Sequence, residues 1–321
     1  MKFLVAVLLT CGVFAGIPAA IAADTYPARP IRWIVPYPPG GTTDILARIM
    51  GQWLSERLGQ QVLIDNRPGA GNNIGTEIAI RSTPDGYTVF LVNPANAINA
   101  TLYTKLPFNF LNDMAPVGGI VRVPNVMEVT NSLPAKSIPE FIAYAKANPG
   151  KVILASSGAG TSVHLSGELF MSMTGVKMTH VPYKGAGPAF PDLIGGQVHV
   201  MFDNMPSSIE FIRGGKLRAL GVTTAKRSNQ LPDVPTVAET VPGYEASAWF
   251  GMGAPKGTPR AAIDVLNREM NRALADPKMK ARLAELSGDP IAGTPEEFWK
   301  IHTYETEKWA KVVKSSGAKV D

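Results

Sequence analysis

In the stretch GAGTSVHLSG, Ser162 and His164 are the residues whose types could supply a nucleophile and a base. They lie two apart, and such neighbours on a helix point to different faces, so they make a poor catalytic pair. The G-x-S-x-G turn that exposes a catalytic serine does not occur. His164 and Glu168 share a helix face and offer two metal ligands, one short of the three a zinc site normally draws from protein. His180, His199 and His302 stand alone in the sequence. GAGNNIG misses the dinucleotide spacing and follows Asn-Arg-Pro rather than a strand, and no G-x-x-x-x-G-K-[ST] loop is present. No catalytic residue, cofactor or metal is expected.

What the loops offer instead is amide and hydroxyl groups. IVPYPPGGTTDILARIM, Ile34 to Met50, runs from an apolar strand through two prolines and two glycines into a helix start, and the loop holds no Lys, Arg, His or Cys. Gly40, Gly41, Thr42 and Thr43 occupy that junction; Ser156, Ser157, Gly158, Gly160, Thr161 and Ser162 occupy a similar one. A helix start carries unpaired N–H groups and the positive end of the helix dipole, so it holds anions. Taken singly, each of these residues reads equally well as a helix cap. Together, at one end of the sheets, they point to a small anion, a carboxylate, that is held and not transformed.

The elements that must carry these loops follow from periodicity. IRWIVPY reads as strand, and TTDILARIMGQWLSERLG as an amphipathic helix with Ile45, Leu46, Ile49, Met50, Trp53, Leu54 and Leu58 on one face and Gly59 at its end. QVLID, DGYTVFLVNPAN, KVILASSGAG, MTHVPYKGAG, QVHVMFDN and KLRALGVTT add strands, most of them followed by a loop and a helix. This alternation predicts an α/β fold with mainly parallel sheets flanked by helices. Strand-like crossovers near Val117–Val129 and Ala246–Ala254 predict two such domains facing each other as a clamshell, the ligand crevice lying beyond the carboxyl ends of the strands. A single larger sheet is the alternative. The predicted division is 23–122 with 252–321 as the first domain and 123–251 as the second.

The first 22 residues have the three parts of a secretory signal in order: Lys2, an apolar run from Phe3 to Ile17, and the cleavage pattern Ala20-Ile21-Ala22. Cleavage would remove Cys11, the one cysteine of the chain, and with it any thiol or disulfide chemistry. It would also remove Lys2 and take the formal charge from +5 to +4. Lys and Arg are scattered singly, which gives nucleic-acid binding no support. No later segment reaches the ~18 apolar residues of a membrane span.

Six ordered segments resemble the Bug, or tripartite tricarboxylate transporter, family of substrate-binding receptors. They are YPARPIRWIVPYPPGGTTDILARIM, VLIDNRPGAGNNIGTEIA, SSGAGTSVHLSGELF, HVPYKGAGPAFPDLIGGQV, GKLRALGVTT and LPDVPTVAETVPGYEASAWFGMGAPKGTP. The resemblance implies a monomeric, type II-like two-domain periplasmic binding protein. Such a protein closes on a small organic acid and delivers it to a transporter of one large and one small membrane subunit. It assigns a grip on the ligand carboxylate, often through ordered water, to Tyr37, Gly40, Gly41, Thr42 and Thr43. The second domain's grip falls to Ser157, Gly158, Thr161, Ser162 and His164. Asp203 matches a position facing the cleft, where a receptor for amino acids would hold an ammonium; Lys184 and Gly185 fall near the rim. Pro38-Pro39 stands where many relatives have Ala-Pro, which changes the wall facing the ligand. A sensor that presents the bound acid to a membrane signalling protein, and a hydrolase or isomerase using the same cleft, remain alternatives at this point. Export should leave Ala23 at the mature N-terminus, and mass spectrometry of the periplasmic fraction checks this; an intact Met1 on a cytoplasmic product would defeat the compartment reading.

Overall fold

In the computed structural model, which describes residues 26–316 and 320, each apolar run becomes a strand and each Gly/Ser/Thr/Asn junction starts a helix. The signal-peptide reading of residues 1–22 lies outside the described residues. β1 (Ile31–Val35) leads through the Pro-Gly-Gly loop into α1 (Thr42–Leu58), which ends on Gly59 in the left-handed conformation with its N–H on the Ser55 carbonyl. β2 (Val62–Asn66), a short 3₁₀ turn, α2 (Asn73–Ile80), β3 (Thr88–Val92), α3 (Pro94–Leu102) and α4 (Phe110–Asp113) follow. The 17-residue β4 (Met114–Thr130) then crosses to the second half. There the chain builds α5 (Ile138–Ala147), β5 (Ile153–Ser156), α6 (Ser162–Thr174), β6 (Thr179–Pro182), α7 (Ala186–Ile194), β7 (Val200–Asn204), α8 (Met205–Arg213) and β8 (Leu217–Val222). β9 (Ser247–Pro255) returns, and α9 (Arg260–Ala275), α10 (Pro277–Glu285), the two-residue β10 (Asp289–Pro290) and α11 (Pro295–Ser316) close the chain.

The sheet runs β2-β1-β3-β9-β4-β7-β5-β6, with β8 and β10 also on β4. Neighbours are parallel at both outer ends, β2-β1-β3 and β7-β5-β6, where strand and helix alternate. They are antiparallel where the two crossovers lie, β9 against β3 and β4, and β4 against β7 and β8. β4 serves both halves in turn: residues Met114 to Pro124 pair with β9, and Asn125 to Thr130 pair with β7 and β8. The result is a two-domain α/β fold, strands and helices alternating in each half.

Each half has its own apolar core. One collects Trp33, Leu46, Met50, Val121, Phe250 and Leu266; the other collects Phe141, Leu165, Phe170, Phe202, Tyr244 and Trp309. α11 contributes to both halves, Phe298 packing with Ile34 and Trp249 while Trp309 and Val313 join Phe141 and Phe170.

At the crossing point the two connecting strands are tied by buried polar groups. The Asn125 amide donates to the Thr223 hydroxyl at 2.9 Å, and that hydroxyl reaches the carbonyls of Ala246 at 2.7 Å and Asn125 at 3.0 Å. The Asn125 side chain bonds Phe202 O and Ser166 and accepts from Asn204 at 2.7 Å. Removing a buried partner leaves the others unpaired, which costs about 1–3 kcal/mol. Thr223→Val, nearly equal in volume, should therefore lower the unfolding free energy by about that amount, read as a lower urea midpoint at unchanged slope.

Candidate functional site

The Pro-Gly-Gly loop is held in place by Asp44 rather than by a cap on α1. Its carboxylate accepts from the Gly40 N–H at 3.1 Å, the Arg48 guanidinium at 3.0 Å and Asn66 Nδ2 at 3.2 Å. Burial pushes the Asp44 carboxyl up, but these bonds from Arg48, Gly40 and Asn66 outweigh it and leave it below its ordinary value. Gly41 is the N-cap residue and has no side chain to turn on the helix. The first amides of α1 to find a backbone acceptor are those of Asp44 and Ile45, both on Gly41 O. The N–H groups of Thr42 and Thr43 are thus left for whatever occupies the space in front of them.

That space is a narrow pocket between the two halves. It is lined by Tyr37, Gly41, Thr42, Thr43, Asn93, Pro94, Ser157, Thr161, Ser162, Ala186, Asp203, Asn204 and Phe250. Five helices present their first residues to it: α1 through Gly41 to Thr43, α3 through Asn93 and Pro94, α6 through Thr161 and Ser162, α7 through Ala186, and α8 through Asn204. Each helix start carries roughly half a positive charge. Among the described residues no Lys, Arg or His lines the pocket. Burial keeps the Tyr37 hydroxyl protonated by pushing its pKa up, so it remains a donor. The arrangement suits an anion held by neutral groups.

Eight of the eleven residues expected at the site line this pocket. Gly40 sits behind it on Asp44, and Gly158 lines a wider adjoining cavity with Tyr37, Tyr103, Ser157, His180, Tyr183 and Lys184. His164 is buried inside α6: it stacks on His180 at 4.0 Å, accepts the Gly160 N–H at 3.3 Å and faces Glu168 at 3.4 Å. Burial, and then His164, push the His180 pKa down to about 3, so that ring stays neutral. Ser156 lies 2.6 Å from His180 Nε2, but it is fully buried and accepts the Gly158 amide; the pair fastens neighbouring strand ends. Among the described residues no group of three or more His, Cys, Asp or Glu could hold a metal.

Five lining residues escaped the sequence reading: Asn93, Pro94, Ala186, Asn204 and Phe250. The asparagines had a signal, since VNP and DNMP are strand ends followed at once by a proline-started helix. Phe250 had none.

The halves meet directly across the pocket mouth. A Cβ on Gly185 would meet the Pro38 ring at 2.7 Å, and one on Gly187 would meet the Pro39 carbonyl at 2.8 Å. The Pro-Pro pair therefore forms a wall against which only a glycine-flanked start of α7 fits. Gly71, at φ 57°, makes the second close approach, to the Ala159 carbonyl.

This geometry defines a cleft-type solute-binding protein. The family described as tripartite tricarboxylate transporter family receptor matches residues 46–318, and the chain belongs to it. It is 42% identical over 319 residues to Protein BugT of Bordetella pertussis, covering 98% of each chain. A solved Rhodopseudomonas palustris protein with adipate matches at TM-score 0.90 and 40% identity, over 92% of this chain and 100% of that one. MatC from the same organism, with bound malate, matches at TM-score 0.85 and 29% identity, over 90% and 100%. The family and its structural neighbours are substrate-binding receptors, not enzymes.

Thr43 and Thr161 now separate. The Thr161 hydroxyl donates to Gly158 O at 2.8 Å and accepts the His164 amide at 3.2 Å, so it caps α6. The Thr43 hydroxyl makes no hydrogen bond to another described residue. Thr161→Ala should cost about 0.5–2 kcal/mol of stability. Thr43→Ala should leave the melting temperature nearly unchanged and cost about 1.5–3 kcal/mol of binding to a carboxylate, which calorimetry and thermal unfolding read side by side.

Proposed function

We propose that this protein is a periplasmic receptor. It captures a small carboxylate between its two domains and delivers it to a tripartite tricarboxylate-type membrane transporter with one large and one small subunit. The observation that carries this reading is the convergence of five helix N-termini on a pocket without a cationic side chain. Such a site compensates the ligand's charge by dipoles and amides already in place, and nothing in it is poised to attack the ligand. The adipate and malate held by two relatives support the class of ligand. The adjoining cavity, which shares Tyr37 and Ser157 with the pocket, gives a longer acid room to extend toward Tyr183 and Lys184.

In this reading the leader of residues 1–22 sends the chain to the periplasm. The domains divide at 122/123 and 251/252 in this reading, the first of these close to Asn125, where β4 changes partner from β9 to β7 and β8. Contacts from both sides of the pocket supply the differential affinity that draws the cleft shut.

The test is a panel of mono-, di- and tricarboxylates, with acidic amino acids, against the purified mature protein. A cognate acid should raise thermal stability, by about 2.7 kcal/mol at a hundredfold excess over its dissociation constant, and should be recovered unchanged. The same acid should shrink the radius of gyration in small-angle scattering. Turnover of any ligand, or saturation without compaction, would count against the receptor reading.

A further inference from the structure

Among the described residues that line the pocket there is one carboxyl, Asp203, 1% exposed, in a site read above as made for an anion. A second carboxyl lies behind it: Glu128 on β4, fully buried, its Oε2 without a hydrogen-bond partner. The Ser208 hydroxyl bridges them, 2.9 Å from Glu128 Oε1 and 3.1 Å from Asp203 Oδ2. A hydroxyl has one hydrogen, so with both carboxyls ionised one of these contacts would set lone pair against lone pair. Both become hydrogen bonds only when one carboxyl carries a proton.

Among the described residues no Lys, Arg or His pairs with either carboxyl. On β8, Arg218 gives its guanidinium to the carbonyls of Leu133 and Ala135. On α8, Arg213 is taken by Glu210 and Gln230; on α1, Arg48 belongs to Asp44; on α6, His164 faces Glu168 and His180. The pair is also wired to the anion-gripping helix. Asp203 Oδ2 accepts the Ser207 hydroxyl, which lies 3.0 Å from the Thr42 hydroxyl at the start of α1, across the cleft.

We propose that the Asp203–Glu128 pair holds one proton in the empty protein at neutral pH and takes up a second when a carboxylate enters the pocket. The inference rests on the carboxylate reading above. Its ground is electrostatic: two unpaired negative charges in one buried, cation-free pocket repel strongly, and protonation of Asp203 removes one of them. Burial already pushes the Asp203 carboxyl up to about 6, and burial and then Asp203 push Glu128 well above the usual carboxylate range. Asp203 is accordingly the member that changes state near neutrality, and Glu128 acts on the ligand through it.

Calorimetry of adipate and malate binding in buffers of different ionisation enthalpy reads the proton directly. Uptake approaching one proton is expected at pH 7.5, with affinity falling by up to about tenfold per pH unit above 6.5. Asp203→Asn should abolish the uptake and flatten the profile while still binding at pH 8, because the amide imitates the protonated acid. Proton release, a flat wild-type profile, or loss of binding in Asp203→Asn would overturn the proposal. A second measurement needs no ligand. A carboxyl whose pKa is raised on folding costs stability in full above its folded pKa; the cost declines as pH falls below that value and is gone below the unfolded pKa. Asp203→Asn should therefore raise the melting temperature at pH 8 and change it much less at pH 4, near the unfolded pKa. A shift of equal size at both pH values refutes the proton. If that pH-dependent shift is present and no acid of the panel binds, the carboxylate reading fails and the shared proton stands.

Discussion

Unpaired amide groups at helix starts set the terms for everything else in this molecule. A chain that starts a helix must leave its first N–H groups without backbone partners. In most helices a side chain or water meets them. Here α1 begins on Gly41, which has no side chain to offer, and the Asp44 carboxylate that could have turned inward is instead tied to Gly40, Arg48 and Asn66. The sheet then places four more helix starts around the same volume. Positive potential is thus built from backbone, which has no long side chain to reorder and no charge to desolvate. The same choice makes a carboxyl in the wall conspicuous, because nothing nearby neutralises it.

Much of the fold was legible because its inner strands are buried on both faces and its helices on one. IRWIV and TVFLV read as continuous apolar runs, and α1 as a 3.6-residue stripe ending in glycine. What the pattern could not give was direction. Both crossovers were visible as long strand-like stretches, yet their antiparallel placement side by side at the centre of the sheet depends on contacts more than a hundred residues apart, such as Arg122 with Trp249. The two-residue β10 and the passage of α11 from one core to the other have no local signature either.

The site was legible at its junctions and opaque at its walls. Gly41, Thr42, Thr43, Thr161 and Ser162 announced themselves as helix starts. His164 shares their motif, but its ring stacks on His180, a partner sixteen residues away that no spacing rule connects to it. Phe250 reaches the pocket from the interior of β9, where an apolar residue looks like any other core residue. Glu128 is hidden for the opposite reason: in VMEVT it reads as the polar face of a strand, whereas β7 and β8 flank that face and α8 covers it.

The shared strand β4 has a mechanical consequence. A hydrogen-bonded ladder resists sliding, since a slip of one residue would turn every side chain to the opposite face. It yields far more readily to twist, which sheets carry as a matter of course. With β4 laddered to β9 on one side of Asn125 and to β7 and β8 on the other, the stiff directions of the two halves are locked to one another. The compliant direction that remains is torsion along β4. Were the halves to move, this register would hold them to turning about β4 rather than sliding along it.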